Sequence, residues 1–387
     1  MPFSGPPVMP AARPSRWLPF VPAAIYLGVR GTGMLVLAAA ADTGLTDRLT
    51  AWDGLWYLKI AAHGYDLGPI PDADGHPNPF TRRAFFPAYP ALLHALSAAT
   101  GLNLTAAALL VSAVAGLVTA YGLARLGRIV RGGSRRAGHL LVALFAAAPM
   151  GIVLSMAYTE ALFCALAVWV LVALLERRWL PAALGTAAAG LVRPTSLALV
   201  VVVVAAALLA LHRRRDGLRP LAAALLAPAG LFGYLWWTGL RVHPEAGLFT
   251  RLGTWSELEQ QGWATRFDGG AATLRFLRDA PWSGDGMTLL TVAVVLASVV
   301  LPAVALRGRL EWPLTGYAVL VMVQCLGSTS LMHAKPRLLL PAFTLLIPAA
   351  IGLAKRRRGT VVLILTAATA VSAWYGAYAL TVWKYAI

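Results

Sequence analysis

Long apolar segments alternate with short polar segments along almost the whole chain of 387 residues. A helix of roughly 20 apolar residues crosses the ~30 Å hydrocarbon core of a bilayer, so the pattern predicts about eleven membrane crossings. They are expected near 19–41, 103–124, 139–156, 160–175, 180–192, 195–211, 220–241, 286–306, 311–331, 338–354 and 360–383. We therefore expect an all-α fold, a polytopic membrane helical bundle that forms a single domain over 19–387. The proline-rich start, 1–18, is expected to be a disordered cytoplasmic tail.

Two apolar runs are too long for a single crossing. The run 139–175 would form a helix of about 55 Å, so we expect it to turn at the polar triplet Tyr158-Thr159-Glu160. The run 180–211 has basic residues at both ends and should cross an even number of times, because basic residues concentrate in cytoplasmic loops. Its break is predicted at Arg193-Pro194, since proline interrupts a helix and restricts the residue before it.

The basic residues form short clusters between the apolar segments. Nineteen of the 33 lysines and arginines lie in 13–16, 125–136, 177–178, 213–219, 307–309 and 355–358, and only three of the 16 acidic residues accompany them. The positive-inside rule then places the N-terminus in the cytoplasm and makes 42–102 and 242–285 outer loops. A hydrophobic content of 59% and a mean hydropathy of +0.69 exclude an ordinary soluble domain. The net charge of +17 therefore indicates cytoplasmic loops and not a nucleic-acid-binding surface.

Both long outer loops carry aromatic residues. In the first, Trp52, Leu55, Trp56 and Ile60 recur at helical spacing, which is typical of a helix that lies along the membrane interface. The second loop alternates aromatic and charged residues and is expected to be an interfacial segment or a lid. Its aromatic and charged positions include Trp255, Glu257, Glu259, Trp263, Arg266 and Asp268.

Polar residues from distant parts of the sequence fall on the outer side of this topology. They are Asp53, Glu160, Arg193, His333, Lys335 and Arg337. Polar residues at membrane depth are costly and usually mark a site. Cations beside a carboxylate at an outer membrane surface suit a substrate with a phosphate head and a lipid tail.

Each candidate also has an ordinary structural interpretation, and the sequence leaves these open. Asp53 and Glu160 could cap helices, Arg193 could extend to lipid head groups, and the 333–337 segment could be an interfacial anchor. Arg30, inside the first span, could be an ion-pair partner or part of a cavity.

Metal and disulfide sites are not expected. The histidines show no metal-ligand spacing, so we predict no metal site built from protein ligands. Cys164 and Cys325 lie in apolar runs and imply neither a disulfide nor a zinc site.

Several motifs resemble one known family. Trp52-Asp53-Gly54, then Trp56-Tyr57-x-x-Ile60-Ala61-x-x-Gly64-Tyr65, then Ala84-Phe85-Phe86-Pro87-x-Tyr89-Pro90, are similar to the PIG-V family of mannosyltransferases, which are GT-C membrane glycosyltransferases. The segments Ala148-Pro149 to Phe163, Arg193-Pro194 and Arg337-x-x-x-Pro341-Ala342-Phe343 resemble further motifs of that family. The chain departs from the family by an insertion at 69–79 and by Ala88, where leucine would be expected.

The resemblance implies a GT-C-like bundle with interfacial helices in the first outer loop, a polyprenyl-phosphate-sugar donor and an acidic catalytic base in that loop. The base would be Asp53. We expect inverting transfer of a hexose, mannose in this family, to a lipid or cell-envelope acceptor on the outer face. Glu160 would assist catalysis by orienting the acceptor or Asp53. The expected substrate-binding residues are Arg193, His333, Lys335, Arg337, Trp52, Tyr57 and Tyr89.

No cofactor is expected beside the lipid-linked donor, and the sequence leaves open whether a divalent ion binds. The expected partners are the bilayer, the donor and a glycolipid or glycan acceptor, without nucleic acid. Two other classes stay open: a secondary transporter, which would show inverted repeats, and a lipid-binding membrane protein without catalysis.

Overall fold

The computed structural model describes residues 18–42, 44–66, 70–71, 77–78, 80–280 and 285–386. The predicted tail, apart from Leu18, and most of the insertion at 69–79 lie outside these ranges.

The α-helices are α1 (Val21–Ala40), α2 (Leu45–Leu49), α3 (Asp53–His63), α4 (Ala88–Thr100), α5 (Leu104–Ile129), α6 (Arg135–Ala146), α7 (Glu160–Leu175), α8 (Trp179–Gly190), α9 (Leu197–His212), α10 (Arg219–Leu226), α11 (Ala229–Val242), α12 (Leu248–Trp263), α13 (Ala271–Asp279), α14 (Gly286–Arg307), α15 (Trp312–Leu326), α16 (Lys335–Leu338), α17 (Ile347–Ala354) and α18 (Arg358–Thr381). Short 3-10 helices span Leu18–Phe20, Thr81–Ala84, Gly151–Ser155, Pro194–Ser196, Met332–Ala334 and Leu340–Leu346. One small antiparallel hairpin pairs β1 (Ile70–Pro71) with β2 (Pro77–Asn78).

The all-helical class is confirmed, and the protein is a membrane protein. Within the described ranges, six helices are long and apolar enough to cross a bilayer: Val21–Ala40, Leu104–Ile129, Pro194–His212, Arg219–Val242, Gly286–Arg307 and Arg358–Thr381. A seventh span results if Met332–Leu338 and Leu340–Ala354, which meet at 61°, cross together. The apolar helices α7 and α15 are shorter, with 16 and 15 residues. The count of about eleven crossings therefore stays a prediction.

Three interruptions of the helices each contain or border a candidate residue. The first is longer than predicted: α6 ends at Ala146 and α7 begins only at Glu160, so the predicted crossing 139–156 is not one continuous helix. The second lies at the predicted place, with Arg193 between α8 and the 3-10 turn that begins at Pro194. The third is the 61° bend that follows α16, which contains Arg337.

The described part of the segment 42–102, which the sequence predicts to be the first outer loop, packs as a layer of short helices. The buried side of α3 is formed by Gly54, Tyr57, Ile60 and Ala61, whereas Leu55 is 49% exposed. The apolar stripe predicted from spacing is therefore split between a packed side and a free side. The reason is that α3 packs on α4 and α5. Its position along the membrane interface stays a prediction.

The second outer loop covers part of the first. Helix α12 packs on α11 and on the 3-10 helix Thr81–Ala84, and the indole Nε1 of Trp255 donates to the carbonyl of Ala84 across 2.9 Å. A backbone hydrogen bond of 2.9 Å from Ala88 to Leu191 links the first loop to the end of α8. The loop segments and the interrupted helices thus meet in one region of the molecule.

Candidate active site

Four charged side chains from four separate elements form one connected chain. Arg337 Nη1 lies 2.8 Å from Asp53 Oδ2, and Arg337 Nε lies 3.3 Å from Glu160 Oε1. The same Glu160 oxygen lies 2.7 Å from Arg193 Nη1. The order is therefore Asp53, Arg337, Glu160, Arg193, with carboxylates and guanidiniums alternating. Such charge-assisted contacts are among the strongest in proteins.

Each member of this chain stands where a helix begins or breaks. Asp53 and Glu160 are the first residues of α3 and α7, and carboxylates are favoured at helix N-termini by the helix dipole. The residues before them, Trp52 and Thr159, occupy the N-cap positions and make no side-chain capping hydrogen bond. Arg193 directly precedes a proline, and Arg337 stands at the bend after α16. Interrupted helices are how a membrane bundle brings polar side chains to a common point.

The backbone around Asp53 is held in a costly conformation. Trp52 has φ 52°, a left-handed value that is uncommon for a bulky residue. Such conformations persist where surrounding packing imposes them, and they concentrate at functional sites. Gly54 lies against Ala157, whose amide donates to the Leu49 carbonyl across 2.9 Å. These contacts fix the start of α3 against the segment that leads to Glu160.

Burial differs sharply among the four side chains. The exposed fraction is 1% for Glu160, 11% for Arg193 and Arg337, and 31% for Asp53. Buried charges are tolerated when they are paired, and here two carboxylates balance two guanidiniums. Asp53 is the member that a substrate can reach most easily.

Aromatic residues pack around the four charged side chains. Tyr57 Oη and Thr159 Oγ1 are 3.4 Å apart, and Arg193 Nη1 donates to the same Thr159 oxygen across 2.9 Å. Burial raises the pKa of Tyr57, so its phenol is neutral. Tyr89 is fully buried and meets Tyr57 edge to face at 5.1 Å. The ring of Tyr158 lies under the Arg337 guanidinium at 5.1 Å.

Lys335 and His333 are placed differently from the other predicted residues. Lys335 is fully buried, and its Nζ donates to the carbonyls of Cys325 and Ser328 across 2.7 and 2.9 Å. His333 Nε2 and Thr288 Oγ1 are 3.0 Å apart. In the described parts of the chain no ion pair joins either residue to Asp53 or Glu160. Both tie the segment before Arg337 to its neighbours, α15 and α14.

Arg30 is a further buried cation. The sequence left open whether it is an ion-pair partner or part of a cavity. Its Nε donates to Ser155 Oγ across 3.3 Å, and its Nη1 donates to the carbonyl of Ala146 across 3.4 Å. No carboxylate pairs with it within the described ranges. Arg30 therefore braces the irregular segment between α6 and α7.

Glu259 was placed in the second outer loop by the sequence but was not recognised as part of the site. Asp53, Arg193 and Arg337 all act electrostatically on its carboxyl group. The signal that could have found it is its spacing from Trp255 and Trp263, four residues on either side, which puts all three on one helix face. The described residues contain no group of three or more histidine, cysteine or acidic side chains placed to hold a metal ion.

Comparison with known proteins gives one family. A model of the family described as Mannosyltransferase (PIG-V) matches residues 27–235, which is more than half of the chain. No curated protein matches the chain. The matched region contains Asp53, Glu160 and Arg193, whereas Glu259 and Arg337 lie beyond it. The chain, with its buried charge cluster and its membrane-spanning helices, belongs to the PIG-V mannosyltransferase family of glycosyltransferases.

Proposed function

We propose that this protein transfers mannose from a polyprenyl-phosphate-mannose donor to a hydroxyl group of a glycolipid or glycan acceptor, with inversion at the anomeric carbon. The reaction takes place on the extracytoplasmic membrane face. The observation that carries the proposal is the position of Asp53, a partly exposed carboxylate at the end of an otherwise buried, charge-balanced chain.

In this mechanism Asp53 is the general base. A carboxylate oxygen of Asp53 accepts the proton of the acceptor hydroxyl. At the same time the hydroxyl oxygen of the acceptor attacks the anomeric carbon from the face opposite the phosphate. The bond between the anomeric carbon and the phosphate oxygen breaks, and its electron pair leaves with the polyprenyl phosphate. A phosphate departs as a stable anion, so a second carboxyl group is not needed to protonate it, unlike in an inverting glycosidase.

Arg337 and Arg193 stabilise the charge that develops on the phosphate. Arg337 contacts the carboxylates through Nη1 and Nε, and a guanidinium has further N–H donors for a phosphate. Glu160 holds both guanidiniums in place and thereby orients Asp53. Trp52 directly precedes the base, and the buried Tyr57 and Tyr89 support the helix that begins with it. Lys335 and His333 serve the same site indirectly, by positioning the segment that contains Arg337.

A lipid-linked donor is supported by an apolar cavity whose wall includes residues close to Arg337 in the sequence. The cavity has a volume of about 300 Å³ and lies between α14 and the bent span, with Pro336 and Leu339 in its wall. Pro336 directly precedes Arg337. A prenyl chain suits these walls, and its phosphate would then lie near the guanidinium.

The outer face is supported by the distribution of charge. In the predicted topology the basic clusters lie on the side opposite the loops that carry Asp53 and Glu259. Under the positive-inside rule this side is cytoplasmic, so the site faces outward.

The test is transfer of radiolabelled mannose from polyprenyl-phosphate-mannose in membranes that contain Asp53→Asn. The substitution keeps the size of the side chain and removes the base, so we expect near-complete loss of transfer with normal membrane insertion. Asp47→Asn is the matched control, because Asp47 is exposed on the neighbouring helix α2. Transfer by Asp53→Asn within a few-fold of wild type would refute the assignment of the base. Accumulation of label without covalent transfer would favour a transporter or a lipid-binding protein.

A further inference from the structure

Helix α12 presents one face to the first outer loop. Trp255, Leu258, Glu259, Gly262 and Trp263 follow the i, i+3, i+4, i+7, i+8 spacing of a single helix face. Trp255 donates to Ala84, Leu258 is 2% exposed, and the ring of Trp263 meets Phe85 at 5.4 Å. On this face Leu258 is buried, Trp255 and Gly262 are partly buried, and Trp263 stays 36% exposed although its ring meets Phe85.

Glu259 lies in the middle of this packed face. A turn further along, Gly262 lets the helix approach closely, since a Cβ at this position would lie 3.1 Å from Thr81 Cγ2. Glu259 is partly buried, and its carboxyl group interacts electrostatically with Asp53, Arg193 and Arg337. Within the described ranges no ion pair includes Glu259. The residues on either side of it contact Ala84 and Phe85, and the ring of Phe85 meets Tyr57 of α3 at 5.2 Å, so Glu259 lies on the face that α12 presents toward α3.

The charges of the site explain the state of this acid. Two guanidiniums already match the carboxylates of Asp53 and Glu160, so an ionised Glu259 would add a negative charge without compensation. Burial and, after it, the Asp53 carboxylate raise the pKa of Glu259 to about 7, although Arg193 and Arg337 lower it. Near neutral pH the group is thus easily protonated.

Other charged groups surround α12 but have their own contacts. Those on the elements packed against it are Arg82, Arg83 and Arg241, and those on α12 itself or at its start are Glu257, His243 and Arg251. Arg83 pairs with Asp66 at 2.8 Å, and Glu257 pairs with His243 at 3.0 Å. Arg241 and Arg251 lie over the rings of Trp237 and Trp236.

We propose that Glu259, as a neutral carboxyl group, is a binding residue for a polyhydroxylated acceptor. It donates its O–H to an oxygen of the acceptor next to the hydroxyl that Asp53 deprotonates. This inference rests on the proposed function and names a subsite within it. A neutral carboxyl group both donates and accepts hydrogen bonds, as vicinal hydroxyls do. In the proposed function Arg193 and Arg337 bind the donor phosphate, so Glu259, a third carboxyl group on the side of the base, suits the acceptor.

A first experiment tests the placement without any assay of transfer. Dicyclohexylcarbodiimide reacts with protonated carboxyl groups in apolar surroundings, and peptide mass spectrometry of the full-length protein in detergent micelles gives the labelled fraction of Glu259 against pH. We expect a midpoint near pH 7, which moves to lower pH in Asp53→Asn because the repelling carboxylate is gone. Glu257, exposed and paired with His243, is the internal control. An ordinary midpoint near 4.5, or one that Asp53→Asn leaves unchanged, would overturn the placement.

The second experiment compares Glu259→Gln with Glu259→Ala in proteoliposomes, with polyprenyl-phosphate-mannose as donor and a lipid extract of a deletion strain as acceptor. Glutamine still donates and accepts hydrogen bonds, so the acceptor KM should stay within about 3-fold of wild type. Loss of a hydrogen bond in Glu259→Ala should raise the acceptor KM about 10-fold and leave the donor KM unchanged. Glu257→Gln should behave as wild type.

The pH profile gives the remaining readout. Because the neutral form binds, wild-type kcat/KM for the acceptor should fall as pH rises through about 7, and Glu259→Gln should lose this fall. If wild type is active, either of two results would overturn the role of Glu259 and leave the proposed function intact. They are inactivity of Glu259→Gln and an unchanged acceptor KM in Glu259→Ala. A wild-type protein that transfers no mannose overturns the proposed function and this role with it.

Discussion

Arg337 Nη1 contacts Asp53 Oδ2 across 2.8 Å, although the two residues are 284 positions apart in the sequence. The contact joins the first outer loop to the bend of the last interrupted span. It holds the proposed base beside a permanent cation, and the same guanidinium reaches Glu160. One arginine therefore links base, buried carboxylate and the proposed phosphate site.

Arg337→Lys tests this linkage. Lysine keeps the charge, but its donors sit on one compact ammonium group, so it cannot span Asp53 and Glu160 as the planar guanidinium does. We expect transfer to fall by at least about 10-fold, with a larger rise of KM for the donor than for the acceptor. Steady-state kinetics with each substrate varied in turn provide the measurement. Equal changes in both KM values would speak against a phosphate role.

The pair of Glu160 and Arg193 can be tested by a double-mutant cycle. Breaking a buried ion pair by removal of one partner costs about 3–5 kcal/mol, and the loss should be larger for Glu160→Gln, because Glu160 keeps Arg337 as a partner when Arg193 is removed. Glu160→Gln and Arg193→Met should each lower the unfolding temperature in detergent, and the double variant should lose less than the sum of the two. Additive losses would mean that the 2.7 Å contact contributes little to stability.

Lys335→Met separates a structural from a phosphate-binding role of Lys335. The buried ammonium satisfies two carbonyls at the end of α15, and methionine would leave them without this donor. We expect a loss of about 1–3 kcal/mol in stability, with the donor KM of the folded fraction unchanged. Thermal unfolding and donor kinetics measure the two effects. Unchanged stability with a raised donor KM would instead assign Lys335 to the phosphate.

Gly127→Ala tests the close packing of α5 on α6. A Cβ on Gly127 would lie 2.6 Å from Gly138 Cα, a distance that requires the backbone to move. Small residues permit such approaches between membrane helices, so alanine should destabilise the protein by about 1–3 kcal/mol. Gly28→Ala is the matched control, because nothing lies within 4 Å of its Cβ position. An equal response of the two variants would contradict the packing argument.

The two predicted helix breaks differ in how well the local sequence specified them. The break at Arg193-Pro194 was predicted correctly, because proline acts on its own helix. The turn before Glu160 was predicted at its last residues only, and it begins at Ala147, directly after α6. That segment is apolar, and its irregular shape depends on contacts such as the one from Arg30 to Ser155.

Sequence by itself determined that this is a helical membrane protein of the PIG-V family, and it singled out the residues that meet in the charged chain. These are consequences of hydropathy, proline and motifs, which act over short stretches of chain. Only the tertiary structure decided which charges pair, that Lys335 binds carbonyls and that the helix face with Glu259 packs on Ala84 and Phe85. Those relations depend on how helices far apart in sequence pack against each other, and no local pattern specifies the partner of a buried charge.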